Sequence, residues 1–437
     1  MKMQFLVLTV ALLLLVGSAS SPSSAQSLSF DRERGRMMLG VIKDDIRKNY
    51  FDPNFRGINL DERFKVADDR IKQATSIGQV FGIIAQFASE LDDSHTLFLP
   101  PSFSAQTEYG WQMQVIGDKT YVVGVKPGSD AEKKGLQEGD EVYAVDGTRP
   151  VRKNLWKIHY LYNALRPADG MQLVIVKPDG RQQQLDVLAK VREGKRVMDL
   201  TRGGDIWDLI RSSENESRLR RHRYTDVGKE IFIWKMPAFD MEKAEVDDMA
   251  NKFMKSKGLI LDLRGNGGGA EETLLRLIGN LFDREVKIGE IKRRKEVKPL
   301  LATTRRKDTF TGDLILLVDC ESGSASEVLA RVVQLEKRGR VIGDRTAGAV
   351  MRSKYNTHQL GIDVAIFYGV SVTDADILMT DGKSLEKVGV YPDEVKLPTA
   401  NDLAAKHDPV LAYAISLLGA KITPEEAGKL FPLEWRK

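Results

Sequence analysis

The sequence predicts an α/β protein built from more than one unit, and three observations support this prediction. Between residues 231 and 343, short apolar segments alternate with segments of helical periodicity, which is typical of a sheet whose strands are joined by helices. Residues 28–104 instead show helical periodicity with few interruptions, and residues 107–192 show short strands separated by turns. We therefore predict an N-terminal helical module over 28–104, an inserted unit of strands over 107–192 and an α/β core over 229–400.

The start of the chain has the pattern of a secretory signal peptide. Lys2 precedes an apolar run from Phe5 to Val16, and small residues follow as far as Ala25. The apolar run is about a dozen residues long, whereas roughly 20 are needed to cross a membrane, so a spanning helix is the weaker interpretation. We predict residues 1–25 as a signal peptide and a periplasmic or secreted protein.

Composition limits the classes of function. The chain has 437 residues, 42% of them hydrophobic and 29% charged, which is ordinary for a soluble globular protein. Its net charge of +4 is too small to favour nucleic acid as a partner. The single cysteine, Cys320, cannot form an internal disulfide, and we expect it to pack in the core. Basic runs at 218–223 and 292–295 are predicted as exposed loops, with attraction to an anionic envelope surface as the alternative.

The helical module ends in a segment with candidate chemistry. His95 is one of five histidines in the chain, and its neighbours are Ser94, Thr96, Asp92 and Asp93. A lone histidine at the end of a segment is usually structural or exposed. A histidine that acts as a base needs a hydroxyl or an acceptor nearby to fix its tautomer, and these neighbours offer both. The local sequence leaves both interpretations of His95 open.

The inserted unit contains VKPGSDAEKKGLQEGDEVYAVDG, beginning at Val125. In residue types and spacing this segment resembles the PDZ domain. A PDZ domain binds an extended peptide as an added strand and captures its terminal carboxylate with backbone N–H groups. The resemblance implies a carboxylate-binding turn formed by Gly110, Trp111, Gln112 and Met113. The alternative is a PDZ domain that serves only as a structural lid.

Residues 193–228 are polar, basic and irregular, so we predict a connector there, with residues 206–210 as a candidate helical turn. Elements of the core are then expected in this order: strand 231–236, helix 242–255, strand 259–263, helix 271–282, strand 314–318, helix 327–335 and strand 341–343. A longer strand run over 361–372 is expected at a mixed or antiparallel edge, and residues 401–437 are predicted as a C-terminal helical segment.

Ser324 lies where a buried strand turns into a helix. Leu314 to Val318 is a short apolar run, and from Glu327 onward apolar residues recur at helical spacing. A serine at such a turn lies beside unpaired backbone N–H groups that stabilise developing negative charge, as a nucleophile requires. Alternatively, Ser324 and Glu327 form a capping box, S-x-x-E, which is common at helix starts. Both interpretations stay open on this stretch alone.

A glycine loop, GNGGGA, follows the strand at 259–263. Gly265, Gly267 and Ala270 satisfy the dinucleotide-binding pattern G-x-G-x-x-[GA], which would predict a cofactor-dependent oxidoreductase. That pattern normally opens the first strand–helix unit of a chain, and here it does not. In the alternative, exposed glycine N–H groups form an oxyanion hole that faces a nucleophile from the next strand–helix turn.

Four segments together, LILDLRGNGGG, SGSASEVLA, IGDRTAGA and LEKVGVYPDEV, resemble the carboxyl-terminal processing (tail-specific) serine protease family in order and spacing. The resemblance covers essentially the whole chain after the signal peptide. It implies a catalytic core of crotonase-like and ClpP-like βα units, with an inserted PDZ domain and Ser324 as the nucleophile. It also implies an oxyanion hole made by Ala325 N–H with Gly268 and Gly269.

One position departs from that family. Its general base is a lysine in the motif T-x-G-K-G, and the corresponding residue here is Ala349. Alanine cannot accept a proton, so either the enzyme is inactive or another base serves. The tricorn-like branch of the same superfamily is similar to this sequence at such a second base, with Ser94-His95 matching its Ser-His pair and Glu386 its late glutamate. This resemblance implies His95 as general acid/base, oriented by Ser94 and Glu386.

The leading hypothesis is a secreted or periplasmic serine endopeptidase that recognises polypeptides through their free C-terminal tails. A second is a catalytically inactive member that binds peptides or hydrophobic ligands, and a third is a PDZ adaptor. The set of Ser324, His95 and the glycine loop favours the first, because a binding protein has no use for it. We expect polypeptide substrates, and no cofactor, metal or nucleic acid. Association with the envelope surface and with further copies of the chain stays open.

Overall fold

The computed structural model describes residues 24–101, 105–165, 168–193, 220–305, 308–361 and 366–435. The predicted signal peptide lies outside these residues except for its last two. The N-terminal module has three helices and ends in a short strand: α1 (Ser24–Asn49), α2 (Leu60–Lys72), α3 (Ile77–Ser89) and β1 (Leu97–Leu99). The helices pack around one apolar cluster because each presents a buried stripe, such as Val80, Ile84 and Phe87 of α3.

The inserted unit is an antiparallel sheet with two short helices. Its elements are β2 (Ala105–Glu108), β3 (Trp111–Ile116), β4 (Lys119–Val125), α4 (Asp130–Lys133), β5 (Glu141–Val145), α5 (Leu155–Tyr160), β6 (Gly170–Val176), β7 (Gln182–Leu188) and β8 (Lys190–Glu193). Five strands lie in the order β3-β4-β5-β6-β7, and β2 pairs separately with β8. Alternate residues of β3 are buried, as expected for a sheet with one covered face.

The core contains a six-stranded sheet. In chain order the remaining elements are β9 (Arg223–Val227), β10 (Ile231–Lys235), α6 (Lys243–Phe253), β11 (Gly258–Asp262), α7 (Glu271–Leu281), β12 (Val286–Arg293), β13 (Val297–Ala302), β14 (Asp313–Val318), α8 (Ala325–Leu335), β15 (Arg340–Gly343), β16 (Met351–Leu360), β17 (Ile366–Met379), β18 (Glu394–Val395), α9 (Ala400–Ala404), α10 (Pro409–Leu417) and α11 (Pro424–Leu430). The sheet has the order β18-β15-β14-β11-β10-β9, and all its pairs are parallel except β9 with β10.

Helices cover both faces of this sheet, which explains why its strands are apolar throughout. Along β11, Leu259 and Leu261 pack with α6, α7 and α8 on one face. Ile260 points to the other face and packs with Val410 and Ile415 of α10. The predicted α/β class is confirmed, and the expected strands and helices between residues 231 and 343 are present within one to two residues of their predicted ends.

A second, antiparallel sheet joins the N-terminal module to the core. β17 runs through its middle, pairing with β16 along one side and with β1 and β12 along the other. Leu97 of β1 lies opposite Ser371 of β17, so the segment that carries His95 is held by a strand almost 280 residues away in the chain. The sequence did not predict β12, β13 or β16. β13 and β16 have few buried residues, and in β12 an irregularity between Lys287 and Gly289 interrupts the alternation of buried and exposed positions.

Two predicted boundaries need correction. The connector expected over 193–228 contains β9, which pairs with β10 and extends the core sheet to Arg223. The basic run at 292–295 is only partly a loop, because Lys292 and Arg293 end β12. The candidate helical turn at 206–210 lies outside the described residues. None of the helices in the described part of the chain is long and apolar enough to cross a membrane.

Candidate active site

Ser324 lies at the carboxyl edge of the six-stranded sheet, between β14 and α8. It is the residue that precedes α8, and its backbone has φ +50° and ψ −117°. A positive φ is unusual for a residue with a side chain and is found at sites where function requires the strain. The strained backbone is held by two hydrogen bonds, because Ser324 N donates to Ala349 O at 3.0 Å and to Glu327 Oε2 at 3.1 Å.

The glycine loop packs directly against this turn. A Cβ atom added to Gly268 would lie 2.5 Å from Ser324 Cβ and 3.0 Å from Ala325 N, so only glycine fits there. The buried amide of Asn266 organises the loop by donating to Met236 O at 2.9 Å and accepting from Gly268 N at 2.8 Å.

This geometry corrects one expectation about the oxyanion hole. Gly268 was predicted to present its N–H group to the nucleophile, but in this structure that group donates to Asn266. Ala325 is better placed, because it is the first residue of α8 and its N–H group has no acceptor within the helix. Gly269, with φ +139°, pairs with Phe239 through a short parallel bridge that holds the far end of the loop.

Glu327 makes more hydrogen bonds than the capping interaction with Ser324 that the sequence suggested. Its side chain is fully buried and accepts hydrogen bonds from Thr346 Oγ1 (2.6 Å), Gly348 N (2.7 Å), Ala349 N (2.9 Å) and Ser324 N. Burial raises the pKa of this carboxyl to about 7, against the opposing effect of those hydrogen bonds. The motif S-x-x-E was the available signal, but it gave no hint of the contacts with 346–349.

A second set of predicted residues meets around His95, which is buried. Ser94 Oγ lies 2.7 Å from His95 Nδ1 and donates to Glu386 Oε2 at 2.8 Å, while Ser94 N donates to Glu386 Oε1 at 2.8 Å. Because the single hydroxyl proton goes to the carboxylate, Ser94 Oγ accepts from Nδ1–H, and Nε2 is then the basic nitrogen of a neutral His95. Burial raises the pKa of Glu386, and a positive charge on a protonated His95 opposes that shift.

Three residues that sequence reasoning did not assign fix the backbone at His95. Asp93 Oδ1 accepts from His95 N at 2.9 Å and from Thr96 N at 2.7 Å. Thr373 of β17 donates to the same oxygen at 2.7 Å. A carboxylate that accepts from the backbone two and three residues later is a local turn pattern that the sequence D-x-H-T could have suggested. The sequence gives no indication of the role of Thr373, because that role depends on the pairing of β17 with β1.

The two sets are joined through residues 349 and 350. Ala349 O accepts from Ser324 N, and the next residue, Val350, donates its N–H to Glu386 Oε2 at 3.0 Å. All four predicted catalytic residues therefore belong to one hydrogen-bonded network. Ala349 occupies the place of the family lysine, and Lys354 is exposed on β16.

The predicted carboxylate-binding residues lie only partly in a turn. Gly110, with φ +73°, forms the turn, whereas Trp111, Gln112 and Met113 belong to β3 and pair with β4, which corrects the expectation of a single loop. β3 is the terminal strand of the five-stranded order among the described residues. An edge strand has one side of its backbone without a sheet partner, so it is suited to accept an added strand.

The inserted unit also touches the Ser324 side of the site. Gln114 of β3 donates to Asp319 Oδ2 at 2.6 Å, and Arg152 donates to Asp344 Oδ2 at 2.8 Å and to Arg345 O at 2.7 Å. Cys320, predicted to pack in the core, is half-buried and packs against the apolar cluster of the unit, and burial raises the pKa of its thiol well above the ordinary value. Among the described residues, no group of three or more His, Cys, Asp or Glu side chains is arranged to hold a metal ion.

The fold is mixed α/β, and comparison with known proteins gives its class as a serine-type peptidase. Residues 231–395 match the family model described as peptidase family S41, so the chain carries a domain of that family. The predicted relationship to the carboxyl-terminal processing proteases is thereby confirmed.

Curated relatives agree with this family. The C-terminal processing peptidase of the chloroplast of Tetradesmus obliquus is 25% identical over 365 residues, which are 80% of this chain and 74% of that protein. The tail-specific protease of Haemophilus influenzae is 25% identical over 353 residues, which are 76% of this chain but only 48% of that protein, so this chain spans about half its length.

Solved structures share the fold. Mature CPAF complexed with lactacystin superposes with a TM-score of 0.64 at 15% identity, covering 92% of this chain and 99% of CPAF. The photosystem II D1 C-terminal processing protease superposes with a TM-score of 0.50 at 21% identity, covering 85% of this chain and 97% of that protein. Both likenesses show the mixed α/β fold alone.

Proposed function

We propose that this protein is a serine endopeptidase in which Ser324 is the nucleophile and His95 the general base. The observation that carries the proposal is the hydrogen-bonded path from Glu386 through Ser94 to His95 Nδ1, because it leaves Nε2 as the basic nitrogen. Ser94 and Glu386 orient the imidazole and stabilise the imidazolium that forms. This arrangement supplies a base although the family lysine is replaced by Ala349.

The reaction follows from these positions. His95 Nε2 takes the proton of Ser324 Oγ as that oxygen attacks the scissile carbonyl carbon. The oxyanion that forms accepts a hydrogen bond from Ala325 N–H, with Gly268 and Gly269 allowing the substrate backbone to approach closely. The imidazolium then protonates the leaving amine, and the C–N bond breaks to give an acyl-enzyme. Water, deprotonated by His95, hydrolyses the ester and regenerates Ser324.

We extend the proposal to architecture and substrate. Residues 107–192 are a PDZ domain inserted before a crotonase-like and ClpP-like catalytic core, and β3 is the strand to which a substrate tail is added. The edge position of β3 and the tight turn at Gly110 support this assignment. Substrates are then polypeptides with free carboxyl termini, and the predicted signal peptide directs the enzyme to the periplasm or the exterior.

Covalent labelling tests the proposal. We expect a fluorophosphonate probe to label the wild-type protein on Ser324, identified by mass mapping of the labelled peptide. Ser324→Ala should remove labelling and lower the rate of casein digestion by several orders of magnitude, as removal of a triad member does elsewhere. Ser322→Ala is the matched control variant from the same turn. Digestion by Ser324→Ala near the wild-type rate would refute the assignment, and absence of wild-type labelling and digestion would favour an inactive binding protein.

A further inference from the structure

A cluster of four charged side chains lies at the carboxyl edge of the six-stranded sheet, beneath the glycine loop. Lys235 ends β10, Asp262 ends the neighbouring β11, Arg264 follows two residues later, and Asp408 precedes α10. Arg264 donates to both oxygens of Asp262 at 2.9 and 2.8 Å, and to both oxygens of Asp408 at 2.9 and 2.7 Å. The guanidinium therefore forms a forked pair with each carboxylate, the geometry in which such pairs are strongest.

The cluster fixes the point at which the chain enters the glycine loop. The backbone of Arg264 is held on both sides, because its N–H donates to Asp262 Oδ1 at 3.1 Å and its carbonyl accepts from Lys235 Nζ at 2.9 Å. The next residue, Gly265, donates its N–H to Asp319 Oδ1 at 3.0 Å. Three residues later, Gly268 packs against Ser324 so closely that an added Cβ atom would lie 2.5 Å from Ser324 Cβ. A displacement of Arg264 would therefore shift residues 265–268 and, with them, the contact between Gly268 and Ser324.

Asp408 joins this cluster from the opposite face of the sheet. It begins α10, and its Oδ1 also accepts from Leu411 N at 2.9 Å. α10 packs on the face that α6, α7 and α8 do not cover, through Val410, Leu411 and Ile415. The C-terminal helices are thus connected to the loop beside Ser324 by one carboxylate.

The charges of the cluster balance only when Asp408 is present. Two cations, Lys235 and Arg264, face two carboxylates, and all are largely removed from solvent. Burial lowers the pKa of Lys235, and the two cations hold the pKa of Asp262 well below its usual range. Removing Asp408 leaves half of the Arg264 fork without an acceptor, so that Asp262 alone holds the guanidinium.

We propose that Arg264 and Asp408 are positioning residues of the peptidase, and that Asp408 holds the glycine loop beside Ser324 by clamping Arg264 from the far face of the sheet. This inference rests on the proposed function, in which the loop packs against the Ser324 turn and allows the substrate backbone to approach it closely. It assigns to the C-terminal helices a role in catalysis that no motif of the sequence indicated.

The test compares Asp408→Asn with Asp247→Asn in the full chain. Asp247 is a matched control because it also accepts from an arginine fork, that of Arg276, and its side chain is 19% exposed against 20% for Asp408. That pair joins α6 to α7 and has no contact with the loop. The measurements are melting temperature, the rate of fluorophosphonate labelling at Ser324, and kcat and KM for a peptide, taken well below the melting temperatures.

Both variants should have a lower melting temperature than the wild type, but only Asp408→Asn should also have a lower kcat and a lower labelling rate. We expect its kcat and labelling rate to fall roughly tenfold to a hundredfold, as for other small misplacements of reacting groups, with KM near the wild-type value. Equal kcat and labelling rates in the two variants would overturn the proposal. If Asp408→Asn does not fold, Asp408→Glu decides, since it keeps the charge but shifts the carboxylate. A wild-type labelling rate in Asp408→Glu would then overturn it. Failure of the wild-type protein itself to be labelled would instead refute the proposed function.

Discussion

The two halves of the candidate site are built in different ways. Ser324 is positioned by its neighbours in sequence, since a buried strand, a short turn and a helix follow one another within about twenty residues. His95 is positioned by partners far away in the chain, because Glu386 and Thr373 belong to the C-terminal part of the core. The first half comes from one strand–helix unit and is held by Ala349 and the glycine loop of the same core, whereas the second exists only when the N-terminal module docks on β17.

Glu386 connects these halves. One of its carboxylate oxygens accepts both from Ser94 Oγ and from Val350 N, next to the residue that accepts from Ser324 N. Ser324 and His95 are therefore connected through the half-buried carboxylate of Glu386. Under the proposed function, Ser324 works with a base that only the docking of a distant module supplies.

The largest expected effect separates a histidine base from a lysine base. His95→Ala should lower kcat by about three orders of magnitude or more, as loss of a triad histidine does. Lys354→Ala should remain close to wild type, because Lys354 is exposed on β16. Steady-state cleavage of a peptide measures both variants.

Full activity in His95→Ala would refute the proposed base, because the His95 half of the site would then have no catalytic role. Near-complete loss in Lys354→Ala together with activity in His95→Ala would restore a lysine base. Circular dichroism of each variant provides the control for folding.

A smaller effect is expected from the inserted unit, which contacts the Ser324 half through Gln114 and Arg152. If β3 and the turn at Gly110 capture a terminal carboxylate, its charge-assisted hydrogen bonds contribute roughly 1.5 to 3 kcal/mol each. A carboxamide terminus cannot make them, so amidation should lower kcat/KM about tenfold or more even though the cleaved bond lies elsewhere. The measurement compares paired peptides that differ only in this terminal group, and equal rates would refute tail recognition.

The contrast between the halves also explains what could be predicted from sequence. Strands β10, β11 and β14 and their helices were found because apolar runs and helical periods are local signals. Ser324, the glycine loop, Ser94, His95 and Glu386 came from motifs, and hydrogen bonds now join these residues in one network.

Features that depend on pairing between distant segments were missed. The sequence did not indicate β12, in which an irregularity interrupts the alternation, or β13 and β16, which have few buried residues. It also did not indicate the contact of Thr373 with Asp93. The amide of Gly268 was misjudged for a related reason. Its orientation depends on the side chain of Asn266, which no backbone pattern specifies.

The smallest effect concerns Glu327, the buried carboxyl of the Ser324 half. Its pKa is raised from the ordinary 4.5 to about 7, and burial is the largest cause. Because the folded pKa lies above the unfolded value, the stability that this group contributes is complete below about pH 4.5 and is lost as the pH rises through about 7. The full difference corresponds to about 3 kcal/mol, since one pKa unit is worth about 1.4 kcal/mol.

Glu327→Gln removes this titration while keeping the shape of the side chain. Melting temperatures of the wild-type protein and of the variant, measured between pH 4.5 and 8, should therefore differ in slope, with the wild type losing stability relative to the variant as the pH rises. Glu285→Gln is the control, because Glu285 is exposed and its curve should run parallel to that of the wild type. If the Glu327→Gln curve is also parallel, the carboxyl is ionised throughout this range. Its four hydrogen bonds would then outweigh its burial in setting the pKa.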